Sequence, residues 1–364
     1  MIVLHIAAFV AGMALVAAVL LSAFKTVVVP RGAVSTLTRV HFVVLRRMFN
    51  RFARPTRPYV DRDRVLAHYA PFALLTLPAV WVTLVVLGCA VAFWGTGISP
   101  FSEAFVTSGS SLFTLGFVRP KGAGRVVLAF AEAGVGLGLV SLMISYLPTI
   151  YSAFSRRESL VGLLETRAGL PPSPAELLTR YAHIGRLDRI DEDLFVRWED
   201  WFMDVEESHT SQPALVFFRS PHPDRSWITA AGCVLDTAAI MASTIDRPRD
   251  ARAEVMMRTG FFALRRIADY FGIAYDRDPL SDAAISISRR EFDLLCVELR
   301  AADVPLKADL DRAWRDFAGW RVNYDTVLIQ LCGLVQAPLA KWSSDRVPAG
   351  AKPSRIFRKP LGRR

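Results

Sequence analysis

Three long stretches without formal charge lie in the first 154 residues, and they restrict the fold more than any other feature. Ile2 to Phe24 contains only His5 as a weakly polar interruption, Phe72 to Trp94 contains no charge at all, and Val126 to Phe154 is broken only by Glu132. A helix of roughly 20 apolar residues spans a hydrocarbon core of about 30 Å. Three such runs in one half of a chain exceed what a water-soluble core of this size would hold. The first run has no basic residue before it and is too long for the apolar core of a signal peptide, so it is expected to be retained as a span.

Basic residues give the runs a direction. Between Lys25 and Arg64 the sequence carries ten Lys/Arg against Asp61 and Asp63. An excess of this kind marks the cytoplasmic side of a span. The N-terminus and residues 96–125 are then expected outside, and Arg156 and Arg157 mark the return to the cytoplasm. The predicted setting is a multi-pass protein of the plasma membrane with its C-terminal domain cytoplasmic.

The formal charge of +10 is unevenly distributed. Residues 1–157 hold 15 basic and 4 acidic residues, 158–345 hold 22 and 30, and the last 19 hold seven and none. Positive charge beside spans and at a terminus suits anionic membrane lipids, and nothing here calls for nucleic acid. The cysteines Cys89, Cys233, Cys296 and Cys332 have no paired or metal-binding spacing. No metal or cofactor is expected, and no Ser/His/Asp or Cys/His arrangement points to an enzyme.

The chain divides into five regions. Residues 1–24 form the first span, and 25–70 form a basic loop in which Val34 to Arg47 has the spacing of an amphipathic helix lying on a membrane, ended by Arg54-Pro55-Thr56-Arg57-Pro58. Residues 71–157 hold two spans around a short segment, 99–121. Residues 158–345 read as an all-α domain, with a capping box at Ser173–Glu176, helices over about 189–209, 226–243, 249–272, 288–302 and 306–336, and one weak strand signal at Leu215–Phe218. Residues 346–364 read as a basic disordered tail. The fold class is an α-helical membrane protein with three transmembrane helices, a re-entrant pore helix and loop, and a mostly helical C-terminal domain.

The segment between the second and third spans reads Phe101 to Phe117, FSEAFVTSGSSLFTLGF, followed by Val118-Arg119-Pro120-Lys121. It is too short to span and too apolar for a solvated loop, which is the signature of a re-entrant segment. Ser99 and Pro100 suit the start of a short helix.

Thr114-Leu115-Gly116-Phe117 after such a helix resembles the selectivity filter of potassium channels, in the two-span, pore-loop superfamily. The resemblance continues through Gly124-Arg125 at the start of the next span and through Gly134, Gly136 and Gly138, at the place of that family's inner-helix hinge. It covers Ala70 to Phe154. It implies a filter of Thr114, Leu115, Gly116, Phe117 and Val118, built by four copies of the chain, whose backbone carbonyls replace the water shell of a monovalent cation, potassium among the candidates.

Two positions depart from the family pattern. Val118 stands where the filter's last glycine belongs, and a β-branched residue is strained at positive φ. Arg119 replaces the usual acidic residue, with Lys121 close by, so the pore mouth is cationic. The alternative reading is a non-conducting membrane sensor or scaffold whose C-terminal domain carries the activity.

Other signals are weaker. Gly134-Val135-Gly136-Leu137-Gly138 lies inside a span, where helix packing or hinging explains it better than a nucleotide loop. Glu132 is an intramembrane acid, expected to face a cavity or a partner. Pro148 is expected to kink the last span near its cytoplasmic end. Glu206 and His209 have the spacing of a di-iron motif but no second copy, so they read as a helix end.

Overall fold

The computed structural model describes residues 2–29 and 35–348. The described chain is helical, with one isolated bridge, Ile245 to Leu306, and no strand. It divides into two compact units, Met1–Arg54 with His68–Ser152, and Pro55–Ala67 with Ala153–Arg364. Three helical stretches are long and apolar enough to cross a membrane, within Ile2–Val27, Tyr59–Gly95 and Ala123–Ala168.

The first unit begins with α1 (Ile2–Val27) and α2 (Thr36–Phe52). Ser35 caps α2 by accepting the Thr38 N–H at 3.1 Å, and the helix ends at Ala53, ahead of Pro55. The predicted amphipathic helix is therefore present, apart from Val34, which is outside the described residues. Its basic face is not wholly exposed, because Arg46 is buried and its guanidinium lies 5.0 Å from the Tyr69 ring centroid.

After α3 (Tyr59–Ala67), α4 (Tyr69–Gly95) runs antiparallel to α1. Glycines set how closely the two pack. A Cβ on Gly12 would overlap the Gly88 carbonyl, and one on Gly95 would lie 2.6 Å from the His5 carbonyl and the Phe9 nitrogen. Between membrane helices, where lipid is as apolar as any side chain, such close backbone approach is a main source of association. Next come α5 (Phe101–Leu112) and α6 (Ala123–Ala168), whose residues to Ser152 belong to the first unit.

The second unit contains α7 (Pro174–His183), α8 (Val196–Ser211), α9 (Trp227–Ser243), α10 (Ala251–Phe271), α11 (Arg289–Ala301), α12 (Leu310–Arg321) and α13 (Asp325–Val335). Several local expectations change. Ser173 precedes α7 but makes no capping bond, and the capping box forms at Ser288 and Glu291 instead. The approach to α8 is a 3-10 turn and a π turn, and Leu215–Phe217 is part of a 3-10 turn rather than a strand. The helix expected over 306–336 divides at 322–324, where Arg321 and Asp325 enter a buried network. From 349 on, the expected tail lies outside the described residues.

Segment α3 folds with the second unit although it precedes α4 in sequence. Arg219 joins it there, donating to Asp63, to the Tyr59 hydroxyl at 3.1 Å and to the Val335 carbonyl at 2.6 Å. Arg157 is also internal to this unit. Its guanidinium donates to the Leu215 and Phe218 carbonyls, each at 2.8 Å, and lies 3.1 Å from His209 Nε2. Of the two basic residues read as a membrane-boundary signal, only Arg156 remains exposed, paired with Asp204. His209, in the last turn of α8, is fully buried, and desolvation, with the Arg157 guanidinium beside it, holds its imidazole well below the ordinary histidine range.

Candidate functional site

The 99–121 segment is a short helix followed by an irregular turn. Pro100 precedes α5 with extended backbone and no side-chain cap, and Glu103 lies in the first turn. Proline suits this place because a helix start has no use for its missing N–H. The C-terminal turn of α5 carries the serines that anchor the irregular turn.

The N–H groups after α5 turn back toward it. Thr114 N–H donates to the Ser111 carbonyl at 3.0 Å, Leu115 N–H to the Ser110 carbonyl at 2.9 Å, and Gly116 N–H to the same carbonyl at 3.3 Å. Val118 N–H donates to Ser110 Oγ at 3.2 Å. Among the described residues, no carbonyl from Thr114 to Val118 accepts a hydrogen bond. Leu115 and Phe117 are 62% and 64% exposed. One set of backbone dipoles is thus anchored while the opposite set is left open to an outside partner.

Left-handed backbone falls at Thr114, φ +54°, and Gly116, φ +72°. Val118 does not have positive φ, so the strain expected there is found at Thr114. Glycine adopts such φ freely, whereas a β-branched residue does so only under constraint. The constraint here is the pair of bonds from the Thr114 and Leu115 N–H groups, on either side of the Thr114 Cα, to the Ser111 and Ser110 carbonyls. Arg119 and Lys121 are exposed just beyond.

Behind the turn, Glu132 is buried within the protomer. Ser108 Oγ on α5 lies 2.5 Å from Glu132 Oε1 on α6 and 2.9 Å from the Val86 carbonyl on α4. These polar contacts tie three helices at one level, where water would be a poor substitute.

The three glycines of α6 have different surroundings. A Cβ on Gly136 would overlap the Leu112 carbonyl at the end of α5, whereas Gly134 and Gly138 face open space. Gly136 therefore permits close packing of the short helix, and the other two lie on an exposed face. That face carries Phe130, Leu137, Ile144 and Tyr151 at intervals of seven residues, all at least 60% exposed. Pro148 is exposed on the same helix.

Ser108, Ser110 and Ser111 were not singled out by sequence reasoning, although hydroxyls crowded into a short apolar helix are a usable signal. Arg125 was read only as half of a Gly-Arg pair. Its guanidinium donates to the Thr96 carbonyl and, through Nε, to the Thr96 hydroxyl at 3.1 Å, which fixes the end of α4 to the start of α6. Scans of family models, of curated proteins and of solved structures find no match to this chain.

Proposed function

We propose that the chain is one subunit of a homotetrameric membrane pore for monovalent cations, potassium among them, with Thr114 to Val118 contributing a quarter of the filter. The observation carrying this reading is the turn after α5, where four of the five N–H groups of Thr114 to Val118 are bound inward while the carbonyls have no partner among the described residues. A filter needs carbonyl oxygens held in place by something other than the ion. The exposed apolar face of α6 supports assembly, since a second copy could cover it as well as lipid could.

The 2–54 and 68–152 unit is the membrane part, in the plasma membrane with the N-terminus outside. The second unit is cytoplasmic and regulates or assembles the pore. Residues 55–67 fold with the chain after 153, in keeping with a common side for both. A second reading, a non-conducting sensor or scaffold, is favoured by one feature, the exposed cations Arg119 and Lys121 at the proposed mouth.

Native mass spectrometry in detergent is expected to give a tetramer, and liposomes carrying the protein are expected to release potassium when the membrane potential is clamped by an ionophore. A monomer or dimer that releases none would transfer the assignment to the sensor reading. Topology is tested separately. In a background with the four native cysteines replaced, Lys121→Cys is expected to react with an impermeant thiol reagent added to intact cells. Arg57→Cys and Arg189→Cys should react only after permeabilisation. Labelling of either of these from outside would reverse the orientation.

A further inference from the structure

Within the second unit, residues 158–345 hold 22 basic and 30 acidic residues. One cleft among these residues departs from that balance. The cleft has a volume of about 950 Å³ and lies between the end of α9, the 281–288 loop and α12. Six of its lining residues are cationic and four are acidic. Clefts of roughly 300–1,000 Å³ are the usual size for small organic ligands.

Most of the cations already have partners. Arg247 is held by Asp191, Arg249 by Glu254, and Arg289 by Asp293 and Asp311, while Arg312 lies 3.8 Å from Asp316. Lys307 and Arg315 form no ion pair among the described residues. The half-buried ammonium of Lys307 donates to the Ser243 carbonyl at 2.8 Å and the Ala242 carbonyl at 3.1 Å, in the last turn of α9. An ammonium has three donors, so one remains. The helix end favours a cation there, and the two bonds hold it in place. A partly buried charge without a counter-ion is costly, and a bound anion would supply one.

The remaining surface is apolar and aromatic. Met241, Ile245 and Ile287 are buried lining residues, and the half-buried rings of Trp314 and Trp320 on α12 also line the cleft. Indole faces and edges suit a flat ring, and stacking of a base on an aromatic side chain tolerates any base.

We propose that this cleft binds a nucleotide-class ligand, its phosphate at Lys307 and Arg315 and its base against Trp314 and Trp320. The proposal is independent of the pore reading, and its test measures binding alone.

The test is isothermal titration calorimetry of the full chain in detergent, with AMP, GMP, CMP and UMP as probes. At least one is expected to bind saturably, at least tenfold more tightly than ribose 5-phosphate and than its own nucleoside, with an affinity that falls as salt is raised. Arg315→Gln, at an exposed position, is expected to weaken that binding about tenfold without moving the melting temperature. Trp320→Leu should weaken the nucleotide but leave ribose 5-phosphate unchanged. Absence of saturable binding by all four overturns the proposal. So does equal affinity for inorganic phosphate, which would mean that the cleft selects charge and no ring, or an Arg315→Gln variant that binds as tightly as the parent.

Discussion

Arg119→Asp is expected to raise potassium flux through reconstituted protein at least tenfold at low ionic strength. At an effective dielectric near 20, one unit charge about 8 Å from an ion contributes roughly 2 kcal/mol, and each 1.4 kcal/mol is a factor of ten. In a fourfold assembly the substitution reverses four such charges, and Lys121 leaves part of the barrier in place. Salt shortens the Debye length, so the ratio of variant to parent should shrink as ionic strength rises. Liposome efflux at two salt concentrations measures it directly. A ratio near one at both would mean that cations do not pass Arg119.

Glycine substitutions in the same assay separate the proposed filter from its support. Gly116→Ala is expected to abolish flux. Nothing lies within 4 Å of a Cβ there, so the cost is conformational, from holding φ at +72° without glycine. Gly136→Ala should also reduce flux strongly, because its methyl would push the Leu112 carbonyl and with it the end of α5. Gly134→Ala, facing open space two residues away, is expected to remain near the parent. Equal effects at 134 and 136 would contradict the packing role assigned to Gly136.

The second large effect is expected in the other unit. Arg321 is fully buried, with its Nε 2.8 Å from Asp325 Oδ1 and Nη1 on Asp236. Asp236 also accepts the Tyr324 hydroxyl at 2.8 Å, and Asp325 accepts the Ser286 hydroxyl at 2.7 Å. Burial pushes the Asp236 carboxyl above its ordinary range, and the guanidinium and the Tyr324 hydroxyl pull against that shift. Arg321→Met would leave two buried carboxyls without their cation. Removing one partner of a buried ion pair costs about 3–5 kcal/mol. Tryptophan fluorescence during thermal unfolding should show this as a clear fall in the melting temperature of the second unit. Arg289→Met, on an exposed pair, is the comparison, with an expected cost of about 0–1 kcal/mol. If the two variants melted alike, the buried network would not be holding α9, α12 and α13 together.

Patterns that repeat along the chain were readable without coordinates. Helix starts follow Pro100 and Pro174 closely, because proline at a helix start acts within one turn. The break between α12 and α13 was not readable, since the apolar spacing runs on through Val322 and Tyr324. What ends α12 is the turn that lets Arg321 and Asp325 meet Asp236 from α9, a residue 85 positions away from Arg321. The candidate site divides in the same way. The order of short helix, Thr114 to Phe117 turn and glycine-bearing helix is local and was visible. Which glycine is packed and where Glu132 points depend on contacts between elements, whereas the positive φ of Thr114 rests on local bonds to Ser110 and Ser111 that residue types alone do not announce.

Sequence alone therefore determined three apolar helices, the basic loop, the short helix at 101–112 and the helical character of the chain after the third span, since each depends on charge, length and period within a continuous stretch. Only the tertiary structure decided that Arg157 and Arg46 are interior, that α3 folds with the later unit, and that Lys307 and Arg315 share a cleft with two tryptophans. A basic residue reads the same in sequence whether it faces lipid headgroups, water or a buried carbonyl. Its role is fixed by the acceptors that distant segments bring to it, and no spacing rule encodes those.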